Sequence, residues 1–195
     1  MKKLFSSILL LAISLTNNAF SISSDVFIQS TVNRASQILS KNISKEDKMN
    51  ELKLIAKETV DIRGIGFYSL GAARKGLNEK QRKTYSDLFE KYFLKSFASR
   101  LAEYTNPEIE VKNKEVLSKN YTIVNSVLVS TAERPEVNID WRVYTKNPDN
   151  PLIRDLIIEG LSLARTQKEE FSSVLNSNDG DINYLFKILE DFSNN

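Results

Sequence analysis

The chain has 195 residues, 41% of them hydrophobic, enough for one substantial core and too few to require two domains. It holds 27 basic against 25 acidic side chains, no cysteine and no histidine. Disulfides, thiol catalysis and Ser/His/Asp mechanisms are therefore excluded, and the commonest zinc ligands are missing, so no metal or catalytic cofactor is expected.

Lys2 and Lys3 precede an apolar run from Leu4 to Leu15, and Asn17 to Ser21 closes it with small residues. That is the layout of a secretory signal peptide, with cleavage expected after Ser21. An uncleaved membrane anchor is the alternative, but the run falls short of the ~20 residues a spanning helix needs. No cysteine follows for a lipoprotein anchor. Removing residues 1–21 takes away two lysines and no acid, which leaves the mature chain formally neutral. A neutral chain argues against nucleic acid as partner, because phosphate binding depends on clustered positive charge.

Asp25 can cap a helix in which Ile28, Val32, Ala35 and Leu39 recur at steps of four, three and four. Ser44 with Asp47 three residues on starts a second helix, running to about Val60 with Met49, Leu52, Ile55 and Ala56 on its apolar side. Residues 61–73 hold Gly64, Gly66 and Gly71 among apolar residues. Their spacing matches neither nucleotide-binding pattern, so they read as a short, closely packed helix with turns.

Asn78 and Gln81 open the longest helix, to about Tyr104. Its stripe is Tyr85, Leu88, Phe89, Tyr92, Phe93, Phe97, Leu101 and Tyr104. Such a stripe is ordinary core packing or, given its aromatic area, the wall of a cavity.

Pro107 ends the helical half, and the period then changes to two. Ile109 and Val111 alternate with charges, 121–132 is strongly β-prone, and 137–144 places Val137, Ile139, Trp141 and Val143 on one face. After a turn at 146–151, the stretch from Pro151 onward is apolar at both parities, with Ile153, Ile157, Leu161 and Leu163 on one side and Leu152, Leu156 and Ile158 on the other. It reads as a fourteen-residue strand covered on both faces. Asp155 and Glu159 share a parity within it, and Gly160 marks a bulge, bend or close backbone approach. Two helices close the chain, around 168–175 and 182–192, separated by Asn178, Asp179 and Gly180. Short spacing between strands implies an antiparallel meander of about four, so the fold class is α+β, with N-terminal helices and the aromatic helix packed on that sheet.

Three stretches carry a resemblance. Residues 70–104, with Leu70 and Gly71 leading into Gln81, Arg82, Phe89, Leu101 and Tyr104, the strand 137–143, and the segment 154–171 with its Asp155, Glu159, Gly160 and Ser162 together resemble the MlaC family of periplasmic phospholipid-binding proteins. The departures are Ala72 and Ala73 where the family commonly has aromatics, the Pro151 region where many members have tryptophan, and Arg154 where an aromatic is usual. The resemblance implies one lipid-binding domain over residues 22–195. It implies a periplasmic carrier that takes phospholipid tails between helices and sheet, ferrying lipid between an outer-membrane lipoprotein complex and an inner-membrane ABC transporter with a membrane-anchored substrate-binding component, and so maintaining outer-membrane lipid asymmetry. The expected lipid walls are Phe89, Phe93, Phe97 and Leu101 on the helix, and Val137, Ile139, Trp141, Val143, Ile157 and Leu161 on the sheet. A neutral, unpatterned surface suggests a monomer. The competing reading is a small α+β enzyme using Asp155 and Glu159 in an apolar pocket, against which stands a structural role: an ion pair with Arg142 or caps on backbone donors.

Overall fold

The computed structural model describes residues 22–132 and 134–194, so the expected signal peptide lies outside the described residues. Three helices come first: α1 (Ser24–Ser40), α2 (Lys45–Thr59) and α3 (Ile62–Ser69). A short 3-10 turn at Gly71–Lys75 leads into α4 (Glu79–Leu101). Strands β1 (Ile109–Ser118), β2 (Tyr121–Leu128), β3 (Val137–Tyr144), β4 (Leu152–Ile158) and β5 (Leu161–Ser162) pair in chain order, each antiparallel to the last. Helices α5 (Leu163–Asn176) and α6 (Ile182–Asn194) follow.

Local chemistry sets most of these boundaries. Ser44 accepts from the Asp47 N–H, and Asn78 with Gln81 forms a reciprocal capping box at the start of α4. Asp25, expected as a cap, instead lies inside the first turn of α1, where the Lys114 ammonium of β1 bonds it at 2.7 Å. That bond holds the Asp25 carboxyl down at about 2. Gln29 of α1 then bonds both the Ile109 carbonyl and the Val111 N–H. A side-chain amide thus occupies backbone groups that an exposed sheet edge would otherwise leave open.

The glycine-rich segment is the short helix α3, capped by Asp61. A β-carbon on Gly66 would come within 2.7 Å of the Phe89 ring, so the absence of a side chain there is what lets α3 and α4 touch. Tyr85 donates to the Gly66 carbonyl at 2.8 Å, and burial pushes its hydroxyl well above the usual range, keeping the donor protonated.

Helix α1 lies against β1 and β2, and α3 and α5 lie against β4. Helix α4 has α2, α3 and α6 as its close neighbours. Its aromatic face nonetheless belongs to one core with the sheet, shared by Tyr85, Phe89, Val124, Trp141 and Val143.

Two features break the expected fourteen-residue strand. Opposite Arg142 and Val143 the register jumps from Asp155 to Ile153, so Arg154 is an extra residue in a β-bulge. Ile153 and Leu156 consequently share a face although their numbers differ by three. The strand then stops at Ile158, because Glu159 (φ 49°) and Gly160 (φ 79°) both take the left-handed region that a two-residue type I′ hairpin demands.

Candidate lipid-binding site

Cross-strand pairing defines the inner face of the sheet. Val137, Ile139, Trp141 and Val143 stand beside Leu128, Ser126, Val124 and Thr122 of β2, and Ile158, Leu156 and Ile153 flank the last three from β4. Above them runs an aromatic ladder on α4 at four-residue steps, Tyr85, Phe89, Phe93 and Phe97, with ring centroids 5.7, 6.2 and 5.7 Å apart.

Burial differs between the two ends at several positions, although the inner face of β2, including Leu128 opposite Val137, is buried throughout. On α4, Tyr85 and Phe89 are fully buried, whereas Phe93 and Phe97 are half-buried. On the sheet, Val143 and Ile153 are buried, whereas Val137, Leu156, Ile109 and Val111 are half-buried. The two half-buried ends coincide, since the Arg134 guanidinium before β3 sits over the Tyr104 ring just past α4, at 5.3 Å. The two buried ends coincide as well. Tyr85 reaches α3 through Gly66, and the Asp61 N–H at the head of α3 bonds the carbonyl of Ile153, which pairs with Val143. The core between helix and sheet is therefore buried at one end and includes half-buried apolar side chains, Phe93, Phe97 and Val137, at the other.

The expected wall residues divide accordingly. Phe89, Phe93, Phe97, Val137, Ile139, Trp141 and Val143 all belong to this shared core. Leu101 does not: it packs with Ile38, Leu39, Leu52 and Ile55 in a separate cluster between α1, α2 and α4. Ile157 pairs with Asp140, on the opposite face from Trp141, because the bulge at Arg154 reverses the parity of β4. Leu161 follows the hairpin turn and is 53% exposed. Two hollows of the surface have mostly polar linings, and the second reaches the half-buried end of the sheet through Ile109 and Val111. One, of 520 Å³, is lined by Tyr68 and by α5 side chains including Arg165 and Lys168. The other, of 410 Å³, lies where α1 crosses the start of β1.

Both acidic candidates have structural partners. Asp155 is buried, accepts the Ala164 N–H at 3.0 Å and the Ser162 hydroxyl at 2.6 Å, and stands 3.9 Å from the Arg142 guanidinium. It thus welds β4 to the N-terminus of α5, where a negative charge also meets the helix dipole. Glu159 sits in the hairpin turn and accepts the Asn138 N–H. Replacing Asp155 with alanine should cost about 1–3 kcal/mol, the value of a helix cap plus a charged hydrogen bond, as measured by urea unfolding. Asparagine, which keeps an acceptor for Ala164, should recover part of that loss.

Among the described residues no cluster of acidic side chains is arranged to hold a metal, and no helix is long and apolar enough to cross a membrane.

Helices layered over an antiparallel meander around one apolar core, with half-buried aromatic and aliphatic side chains at one end, make this a small α+β protein with a candidate site for an oily ligand. The chain belongs to the MlaC family: the family model for the MlaC protein matches residues 29–191. Among solved structures it is similar to the phospholipid-binding protein from Ralstonia solanacearum in complex with a phospholipid. That match covers 88% of this chain and 97% of the other, at a TM-score of 0.74 and 18% identity. A search of curated proteins finds no match.

Proposed function

We propose that this protein binds phospholipid, with the acyl chains entering between α4 and the inner face of the sheet at the Phe97 and Val137 end. The observation that carries the reading is that half-buried apolar side chains of the helix, Phe93 and Phe97, and of the sheet, Val137, lie at the same end of one shared core. Membership of the family and the fold shared with a phospholipid-bound protein support it. From Phe97 to Phe89 the helix rises about 12 Å, and from Val137 to Trp141 the strand extends about 14 Å, so both walls offer a similar depth.

Exposing one chain of roughly 16 carbons to water costs on the order of 12 kcal/mol, which makes unassisted crossing of an aqueous space negligible. A carrier must hide the tails about as well as a bilayer does and no better, or it could not unload. Apolar walls with few directional bonds meet both demands. On this reading residues 22–195 work as one monomeric unit in the periplasm after loss of the leader, without a cofactor. The chain would move lipid between an outer-membrane lipoprotein complex and the membrane-anchored component of an inner-membrane ABC transporter, maintaining outer-membrane lipid asymmetry. Organic extraction of the purified protein followed by mass spectrometry tests the binding claim. About one phospholipid per chain is expected; protein that emerges lipid-free and takes none up from phospholipid vesicles contradicts it.

A further inference from the structure

Arg134 differs from the other arginines that are anchored in this fold. Arg34 pairs with Glu58, Arg82 bonds the Leu77 and Arg74 carbonyls, and Arg154 bonds Asp61 and Tyr121. The Arg134 guanidinium donates to no described residue and forms no ion pair among them. Its Nε is the one buried side-chain nitrogen or oxygen without a hydrogen-bond partner among the described residues. Its two terminal nitrogens also lack partners in the chain, but they are not sealed off and so meet solvent.

A buried donor without an acceptor costs free energy that a surface arginine escapes by swinging into water. Two contacts hold Arg134 back from that. Thr131 and Arg134 exchange backbone hydrogen bonds of 2.8 and 3.4 Å across a turn, and the guanidinium lies over the Tyr104 ring, 5.3 Å from its centroid. The acids closest in the chain are engaged elsewhere. Glu103, next to Tyr104, pairs with Lys45 at 3.9 Å, and the field of Glu136 falls on Lys112, which is itself bonded to Glu110. A held positive charge with two open donor nitrogens is thus left at the end of the core where Phe97 and Val137 are half-buried.

We propose that Arg134, stacked on Tyr104, binds the phosphate of the carried lipid, its two terminal nitrogens donating to the non-bridging oxygens. The inference rests on the phospholipid-binding reading above. A phosphodiester offers two such oxygens sharing one negative charge, which suits the planar fork of a guanidinium. The glycerol unit places the ester-linked tails only a few bonds from that phosphate, so tails directed between Phe97 and Val137 carry it to this end. One charged contact at the rim then selects for phosphate, and the apolar walls hold the tails.

Lipid-free mature protein is titrated separately with dioleoylphosphatidylglycerol and with dioleoylglycerol, which has the same tails and no phosphate, each delivered in the same neutral detergent. The wild type is expected to bind the phospholipid more tightly. Arg134→Gln should weaken phospholipid binding about ten- to a hundredfold, the range of a charged hydrogen bond, and leave dioleoylglycerol unchanged. Arg134→Lys, which keeps the charge and loses the fork, should recover part of the loss. Equal binding of the two lipids by the wild type, or unchanged phospholipid binding by Arg134→Gln, overturns the proposal. Equal loss of both lipids in Arg134→Gln overturns it too, because the arginine would then only shape the entrance. Inorganic phosphate is titrated in parallel: binding that Arg134→Gln abolishes, with phospholipid affinity intact, would make this a free-anion site and overturn the headgroup assignment. A wild-type protein that takes up neither lipid overturns the phospholipid reading itself.

Discussion

Val137→Asp should strip the protein of co-purifying phospholipid while leaving it folded, and Leu161→Asp should keep both the fold and the lipid. Val137 begins β3 on the inner face, half-buried at the end where the aromatic ladder also meets solvent. A carboxylate there can stay hydrated in the empty protein, so the fold loses little. Once acyl chains fill the seam, water is excluded and the charge is left without a partner. A penalty of about 3 kcal/mol corresponds to roughly a hundredfold in affinity. Leu161, just past the hairpin turn and paired with Ile158 at the sheet edge, is already 53% exposed, so a carboxylate there stays hydrated with or without lipid. Lipid content by extraction, with circular dichroism as the check on folding, separates the two variants. Equal loss of lipid from both would mean that the seam has been assigned to the wrong part of the sheet.

The second large effect is on stability. Phe89→Ala should cost about 3–5 kcal/mol, the range for removing a buried aromatic ring. For a chain of this size that lowers the unfolding temperature by roughly 6–20 °C. Phe89 is 2% exposed and packs on Tyr85, Tyr92, Phe93 and Phe171, the last edge-on at 6.2 Å. It also fills the space opened by Gly66. Phe97→Ala, eight residues along the same ladder but half-buried, should cost clearly less stability and lose lipid instead. The buried half of the ladder then holds α4 in place, and the open half serves the ligand. Thermal unfolding of the two variants, read beside their lipid content, tests that division.

The sequence carried much of this architecture because the signals that decide it are local. Ser44 and the Asn78–Gln81 pair cap helices through bonds spanning three residues. Alternation along 137–144 reports a sheet with one covered face, and Asp155 took the two structural roles expected of it, partner of Arg142 and cap on backbone donors. What escaped the sequence depended on distant contacts or on uncommon backbone. Leu101 continues the stripe of Phe93 and Phe97, yet by that turn the neighbours are α1 and α2. The bulge at Arg154 has no signature of its own. It becomes intelligible only when the guanidinium is seen 3.5 Å from the Tyr144 ring centroid, bonded to Asp61 at 2.7 Å and to the Tyr121 hydroxyl at 2.6 Å. Those contacts lock the start of α3 to the sheet, and they reverse the parity on which Ile157 was placed. Glutamate is an unusual first residue for a type I′ turn, so Glu159 and Gly160 read more easily as strand than as its end.

The central claim is that acyl chains lie between the open end of the ladder and the inner face of the sheet. Placing a photoreactive benzoylphenylalanine at position 97, and separately at 161, tests it most directly. On irradiation of the lipid-loaded protein, the account predicts a covalent phospholipid adduct at 97 and none at 161. An adduct confined to 161, or absent from 97 while lipid remains bound, would contradict it.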